Sequence, residues 1–262
     1  MLKIAVCIKQ VPAFSEGKTD PETGVILRDR IEPVLNVYDL PALETALQIK
    51  EATEANIDVF TMGPEKAADV MREAYGMGAD RGYLLSDKRF SGADVLATSY
   101  TLMQGMKLTD NYDLIICGKQ TTDGDTAQVS GALAKWFGIP GINWVSKINS
   151  AETDGITVEQ TMEKETAVIR VPYPCLLSVE RNIYIPRLPS LKLKMAARKK
   201  EIKIITLDEL EDKNRENYGL SGSPTKVRKI YPAVKTKKQD IMIKSALESA
   251  DRIFEIINSI KN

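Results

Sequence analysis

Residues 113–138, DLIICGKQTTDGDTAQVSGALAKWFG, decide how the rest of the chain is read. An apolar, β-branched run ending at Cys117 gives way to Gly118–Gln128, which holds two glycines, three threonines, two aspartates and two glutamines. A helix-like run, TAQVSGALAKWFG, overlaps its end. Strand, polar loop, helix is the repeating unit of a parallel α/β sheet, with the loop at the carboxyl end of its strand.

The same unit recurs upstream. Lys3 to Val11 is β-branched and alternating, a buried first strand, and a polar loop follows with a turn signal at Pro21–Gly24. Leu40, Leu43, Ala46 and Leu47 sit at helical spacing in a predicted helix over 39–52, with Asp39 as its N-cap and Pro41 tolerated in the first turn. IDVFTMGP is a strand and its stop, PEKAADVMREAYGMGAD a helix ending at Gly76 or Gly78, Arg81–Ser86 a short strand, and Gly92–Lys107 an apolar helix. Tyr112–Cys117 is the strand that feeds the loop. The expected fold class is therefore α/β, a doubly wound and mostly parallel sheet over residues 1–180. Near Ile142 the pattern changes to alternating runs with a turn at Asp154-Gly155, an antiparallel addition that extends or flanks the sheet. From Arg181 to residue 262 the chain resembles an extended C-terminal arm, basic and proline-bearing, followed by a terminal helix from about Asp240 to Ile260. Ile241, Ile243, Leu247, Ile253, Phe254, Ile257 and Ile260 stripe that helix, which suits either docking on another chain or packing on its own domain.

Composition narrows the chemistry. The 36 basic and 36 acidic residues among 262 cancel, which argues against a nucleic-acid partner. There is no histidine, which excludes Ser-His-Asp and Cys-His nucleophile systems, histidine metal sites and histidine acid–base chemistry. Cys7, Cys117 and Cys175 are few and set in apolar runs, as reduced, buried thiols of a cytoplasmic protein would be. The start, MLKIAVCIKQVP, resembles a strand rather than a signal peptide, and no apolar run approaches the roughly 20 residues that insertion in a membrane needs.

The loop suits a phosphate. A helix N-terminus offers unpaired N–H groups and a favourable dipole. Gly118 and Gly124 permit close backbone approach; Thr121, Thr122 and Thr126 offer hydroxyls; Gln120 and Gln128 offer amides. The spacing is neither that of a Walker loop nor Gly-x-Gly-x-x-Gly. Asp125 and Gln128 have capping-box spacing, and Asp123 suits a ribose hydroxyl or a backbone amide. An ordinary Gly-rich turn with a good cap fits the same residues. Lys9-Gln10-Val11-Pro12, Asn36-Val37-Tyr38-Asp39 and Met62-Gly63-Pro64 end or follow other strands on the same rim, where an adenine nucleotide would lie.

Taken in order, VCIKQVP, LNVYDLPALETALQIKE, the MGP turn, AYGMGADRGYLL, CGKQTTDGDTAQVSGALAKWFGIP and PRLPSLKLKMAARKKEI resemble the small (beta) subunit of electron-transfer flavoproteins along nearly the whole chain. The resemblance implies an adenine-nucleotide alpha-hydrolase-like fold, an obligate partner in a larger alpha subunit carrying FAD, and an adenine nucleotide on the beta subunit. By motif, that nucleotide meets Cys7, Asn36, Val37, Tyr38, Asp39, Met62 and the loop of Gly118, Lys119, Gln120, Thr121, Thr122, Asp123, Gly124, Asp125, Thr126, Ala127, Gln128 and Val129. A partner-recognition segment maps to Arg187–Lys200. It contains Leu188, Pro189 and Leu191 as candidate contacts for a flavin-dependent dehydrogenase, with Arg198, Lys199 and Lys200 steering an acidic partner.

One branch of the family holds structural AMP and carries electrons. The other holds a second FAD, takes hydride from NADH, and divides the electrons between ferredoxin and the alpha-subunit flavin. Glycine at 124, where the AMP branch often has an acidic residue, resembles the FAD branch. The family pattern has a small-residue turn after Val179, whereas this chain has Glu180-Arg181-Asn182-Ile183-Tyr184-Ile185. If the flavin does the chemistry, the missing histidines are no obstacle and the chain is not catalytic alone. A universal-stress-type nucleotide sensor leaves the basic arm unexplained, and an ATP pyrophosphatase-like transferase lacks its Ser-Gly-Gly-x-Asp-Ser loop.

Overall fold

The computed structural model describes residues 1–13, 33–226 and 245–261. Among the described residues eleven strands and six α-helices follow in the order β1 (Leu2–Cys7), β2 (Gln10–Pro12), β3 (Pro33–Leu35), α1 (Asp39–Ala52), β4 (Ala55–Met62), α2 (Ala68–Met77), β5 (Arg81–Leu85), α3 (Val95–Thr109), β6 (Leu114–Gly118) and α4 (Val129–Phe137). Then come β7 (Gly141–Ala151), β8 (Gly155–Thr161), β9 (Thr166–Pro172), β10 (Cys175–Val179), α5 (Leu191–Ala197), β11 (Lys203–Ile205) and α6 (Ala246–Lys261). Nine strands form one sheet in the order β11-β5-β4-β1-β6-β10-β7-β8-β9, and β2 pairs with β3 outside it. From β11 to β7 every neighbouring pair is parallel, and β7-β8-β9 is antiparallel.

Strand periodicity builds two cores. Ile4 and Val6 of β1 and Leu114 and Ile116 of β6 face Leu43 and Ala46 of α1 and Val70, Met71 and Ala74 of α2. Ala5 and Ile115 point the other way, to Met103 and Met106 of α3 and Leu133 of α4. These side chains are almost wholly buried, and each large aliphatic one contributes roughly 1.5–3 kcal/mol. Local signals set the helix limits. The Asp94 carboxylate accepts the Leu96 and Ala97 N–H groups at 2.9 and 3.1 Å to start α3. Gly78, at φ +132°, ends α2.

The doubly wound, mostly parallel architecture is as expected, with four differences of detail. The first strand stops at Cys7, and Gln10–Pro12 leaves for the small β2–β3 sheet because Lys9 N–H is drawn to Asp39. The strand around Leu176 is not part of the antiparallel addition. It lies parallel between β6 and β7, so the addition extends the main sheet. Helix α4 begins at Val129, three residues later than TAQVSG suggested. Finally, residue 180 is no packing boundary: β11 pairs with β5, and Ile205, Leu207, Leu210 and Tyr218 are buried in the α3–α4 core. The turn signal at 21–24 and the predicted helix start at 240–244 lie outside the described residues. Leu247, Ile253, Phe254 and Ile257 on α6 are exposed.

Candidate functional site

The chain runs outward from β1 through β4 to β5, then returns to β6 on the other side of β1. The winding reverses between β1 and β6, and the crevice outside their carboxyl ends is where open α/β sheets bind ligands. Cys7 and Cys117 are register partners there. The Cys117 thiol, together with burial, pushes the Cys7 thiol well above its ordinary range, so it is a neutral floor to the crevice rather than a nucleophile.

Asn36 assembles the rim. It is fully buried, and its N–H donates to the Lys9 carbonyl at 2.9 Å. Its side-chain amide donates to the Gln120 carbonyl at 2.8 Å and accepts the Thr122 N–H at 3.3 Å. An amide side chain donates from its nitrogen and accepts at its oxygen, and Asn36 thereby ties the loop after β6 to the start of α1. Gly118 lets the loop pass. A Cβ there would lie 2.4 Å from the Tyr38 carbonyl oxygen and 2.4 Å from the Asp39 carboxylate.

Asp39 is buried, and its carboxylate accepts the Lys9 N–H at 2.8 Å instead of capping its own helix. Tyr38 occupies the N-cap position without a side-chain bond, so the predicted Asp39 cap is corrected. Burial raises the Asp39 pKa from 3.8 to about 7, against the opposing pull of Asn36 and the Lys9 amide. The rim therefore carries less negative charge near neutrality than its composition suggests.

Within the loop, Lys9 Nζ holds both Asp123 oxygens, at 2.8 and 2.7 Å. The Gln120 amide donates to Asp125, the Asp125 N–H donates to the Thr121 carbonyl at 2.9 Å, and the Gly124 N–H donates to Thr121 Oγ1 at 3.3 Å. Asp125 and Ala127 are left-handed, at φ 54° and 53°. Each costs on the order of 1 kcal/mol, a local strain of the kind that gathers at binding loops. The capping box is also corrected: Asp125 turns to Gln120, and Gln128 precedes α4 with no side-chain cap bond. The α4 N-terminus is left to receive an anion.

Two observations test the fit of a nucleotide. Thr122 Oγ1, in the loop, is buried with no hydrogen-bond partner among the described residues, so its donor is unspent. Gly124, by contrast, is only lightly constrained by the loop: its φ is not positive, and a Cβ would press on one atom, Thr121 Oγ1, at 3.3 Å. The residues present fit a phosphate-bearing ligand.

The remaining predicted residues scatter around this centre. Met62 is half-buried at the end of β4, Val37 is exposed, and Val129 packs on the α3–α4 core. The Arg181 guanidinium lies 5.9 Å from the Tyr38 ring centroid. Thr126 and Gln128 are exposed, and Ala127 is half-buried. Lys119 leaves the loop to pair with both Glu180 oxygens, at 2.9 and 3.1 Å. The two ion pairs flanking the loop, Lys9–Asp123 and Lys119–Glu180, were not foreseen. The only hints were Lys9 in a strand-end motif and Glu180 in the unusual turn.

The arm is anchored on helices α1 and α2. Arg187 donates from its backbone and guanidinium to the buried Glu44 at 2.8–3.2 Å and also reaches Glu51. Burial works to raise the Glu44 pKa, but Arg187 outweighs it and holds the carboxyl below its ordinary value. Arg72 donates to the Ala197 carbonyl at 2.9 Å. Lys200 donates to the Ala79 carbonyl at 2.7 Å and sits 4.9 Å from the Tyr75 ring centroid, so it is an anchor where a free steering charge was expected. Pro189 packs on Gly76. Between these anchors Leu188 is 91% and Leu191 76% exposed, beside exposed Arg198 and Lys199.

Among the described residues no cluster suits a metal ion, and no helix is long and apolar enough to cross a membrane. The family model described as electron transfer flavoprotein domain matches residues 23–210. The chain is 39% identical to electron transfer flavoprotein subunit beta of Thermoanaerobacterium thermosaccharolyticum over 98% of each chain. It is 40% identical to the Megasphaera elsdenii protein of the same name, over 88% of this chain and 87% of that one. It is also 40% identical to the caffeyl-CoA reductase-Etf complex subunit CarD of Acetobacterium woodii, over 89% of each.

Proposed function

The chain belongs to the electron transfer flavoprotein family, on its beta-subunit side, and from that premise we propose that it holds FAD in the rim between β1 and β6. In this reading it is the small subunit of a heterodimer with an FAD-bearing alpha subunit and accepts hydride from NADH. Bound there, FAD would supply two-electron acceptance from NADH and onward delivery, one electron to ferredoxin and one through the alpha-subunit FAD to a partner dehydrogenase.

The observation that carries FAD over AMP is Gly124. No positive φ requires glycine there, and a Cβ would press on a single side-chain atom, Thr121 Oγ1 at 3.3 Å, so its smallness also suits something outside the loop. A dinucleotide must run its pyrophosphate and second half past the loop, and a bare backbone leaves that way clear. The chain's own part is to bind and orient. Asn36 fixes the loop, Thr122 Oγ1 and the α4 N-terminus offer donors, and Asp39, its pKa raised to about 7, carries only part of its charge near neutrality and so repels a phosphate less. Leu188 and Pro189, in a shallow groove with Arg72, Lys194 and Arg198, fit an apolar contact rimmed by acidic residues on a dehydrogenase. Three unbridged cysteines support a cytoplasmic setting.

The test is the flavin content of the complex co-purified with its large subunit. Two FAD per heterodimer with bleaching by NADH is expected; one FAD plus one AMP overturns the reading. Gly124→Glu should lower FAD content at least several-fold while leaving the unfolding midpoint unchanged, and undiminished FAD would remove the argument from Gly124.

A further inference from the structure

We propose that Asp123 is a built-in competitor for phosphate, holding Lys9 in the arrangement a nucleotide phosphate would take over. Binding would then transfer the Lys9 ammonium from a carboxylate of the protein to the ligand. The inference rests on the nucleotide reading of the rim and adds to it the residue that recognises the phosphate charge and the residue that opposes it.

Three features carry it. The first is stereochemical. Lys9 Nζ contacts both Asp123 oxygens, at 2.7 and 2.8 Å, as a compact cation meets two oxygens of an anionic group. Lys9 is 42% exposed on a flexible stem, so its ammonium can leave Asp123 without disturbing a core.

The second is that the loop does not depend on this pair for its position. Asn36 secures the Gln120 carbonyl and the Thr122 N–H. Thr121 secures the Gly124 and Asp125 N–H groups, and Gly118 is wedged against Tyr38. An ion pair added to a loop already fixed by backbone bonds contributes little as a structural tie when it is this exposed.

The third is charge. Asp125 and Asp123 lie four and six residues before Val129, the first residue of α4, in the loop that leads to its N-terminus, and two unneutralised carboxylates there would repel a phosphate. Asp125 has the Gln120 amide, whereas Asp123 has the cation itself. Burial raises the Asp123 pKa, but Lys9 outweighs it, so this carboxylate is ionised near neutrality and competes fully. A ligand with more phosphate charge displaces it more readily, so the pair grades ligands by charge, ADP over AMP and AMP over adenosine.

A structural tie and a competitor predict opposite signs for the same substitution. The full chain, freed of co-purified nucleotide, is titrated calorimetrically with ADP, AMP and adenosine. Asp123→Asn, which leaves the loop shape but frees Lys9, should tighten ADP binding about three-fold, the scale of a part-exposed ion pair, and leave adenosine unchanged. Lys9→Met should weaken ADP about ten-fold, the scale of a charge-assisted bond, and Lys9→Arg should restore most of it. In the double variant the gain from Asp123→Asn should shrink to what relief of repulsion alone supplies, because the freed cation is gone. Weaker or unchanged ADP binding by Asp123→Asn overturns the proposal, as does a gain undiminished without Lys9. Failure of the folded wild type to bind any of the three ligands fails the nucleotide reading first, an outcome distinct from the wrong sign in Asp123→Asn.

Discussion

Replacing Asp39 with asparagine removes the one buried carboxyl at the rim whose ionisation opposes folding. Burial raises its pKa from 3.8 to about 7 in the folded chain. Between those values the folded state keeps a proton that the unfolded state has lost, so stability falls as pH rises through this window and levels off above it. The full difference is about three pKa units, or roughly 4 kcal/mol at 1.36 kcal/mol per unit. About 2.5 kcal/mol of it accrues between pH 5 and pH 8. Asparagine has nearly the same shape, and its oxygen can still accept the Lys9 N–H that now bonds at 2.8 Å. Urea unfolding of both proteins at half-unit pH steps measures the effect, and titrations elsewhere in the chain cancel in the difference. Asp39→Asn should match the wild type near pH 4 and exceed it by several kcal/mol at pH 8. Parallel profiles would refute the reasoning, since Asp39 would then be ionised at no cost and the rim would carry its full negative charge.

Gly118→Ala places a methyl 2.4 Å from the Tyr38 carbonyl oxygen, and should cost about 2 kcal/mol in unfolding free energy and reduce bound nucleotide. Arg187→Met leaves Glu44, only 2% exposed, without its cation. It should lower stability by about 2 kcal/mol, read as a shift in urea midpoint, with Glu44→Gln in the same background recovering part of the loss. Leu188→Ala, at a side chain 91% exposed, should leave the unfolding midpoint within about 0.5 kcal/mol of wild type yet slow electron delivery to the dehydrogenase. Equal rates would reject a docking role for that leucine.

Local pattern carried the alternation of strand and helix. Helix α1 spans the expected residues because its apolar spacing is uninterrupted and Pro41 falls in the first turn, where no N–H is missed. Strand order is a different kind of information. Cys175–Val179 is buried at every position, and such a run looks the same whether its neighbours run parallel or antiparallel. Its insertion between β6 and β7 follows from the winding of the whole chain. Lys203–Ile205 is too short and too exposed at two of its three positions to announce an edge strand. The same division holds at the rim. Glycines, threonines and Asn36 marked the loop by type, since few residues serve a close turn or a donor–acceptor bridge. The pairings of Lys9 with Asp123 and Lys119 with Glu180 join residues 114 and 61 positions apart, and charge alone does not choose among 36 acidic partners.

Helix α1 joins two features that the sequence presents as separate. Asp39 stands at its first residue, against the Gly118–Gln128 loop, and Glu44 and Glu51 on the same helix grip Arg187 at the root of the arm. Asp39 and Glu44 are five residues apart, about 7.5 Å along the axis. Leu43, Ala46 and Leu47 hold the helix on the sheet with almost no exposed surface, so it cannot tilt without opening the core. The position of Leu188 relative to the rim is thus set by one rigid element rather than by the flexibility of an arm. The basic, proline-bearing stretch that resembled a loose appendage is fixed at Arg187, Pro189, Ala197 and Lys200, and leaves Leu188 and Leu191, with Ile185 and Met195, as projecting apolar groups.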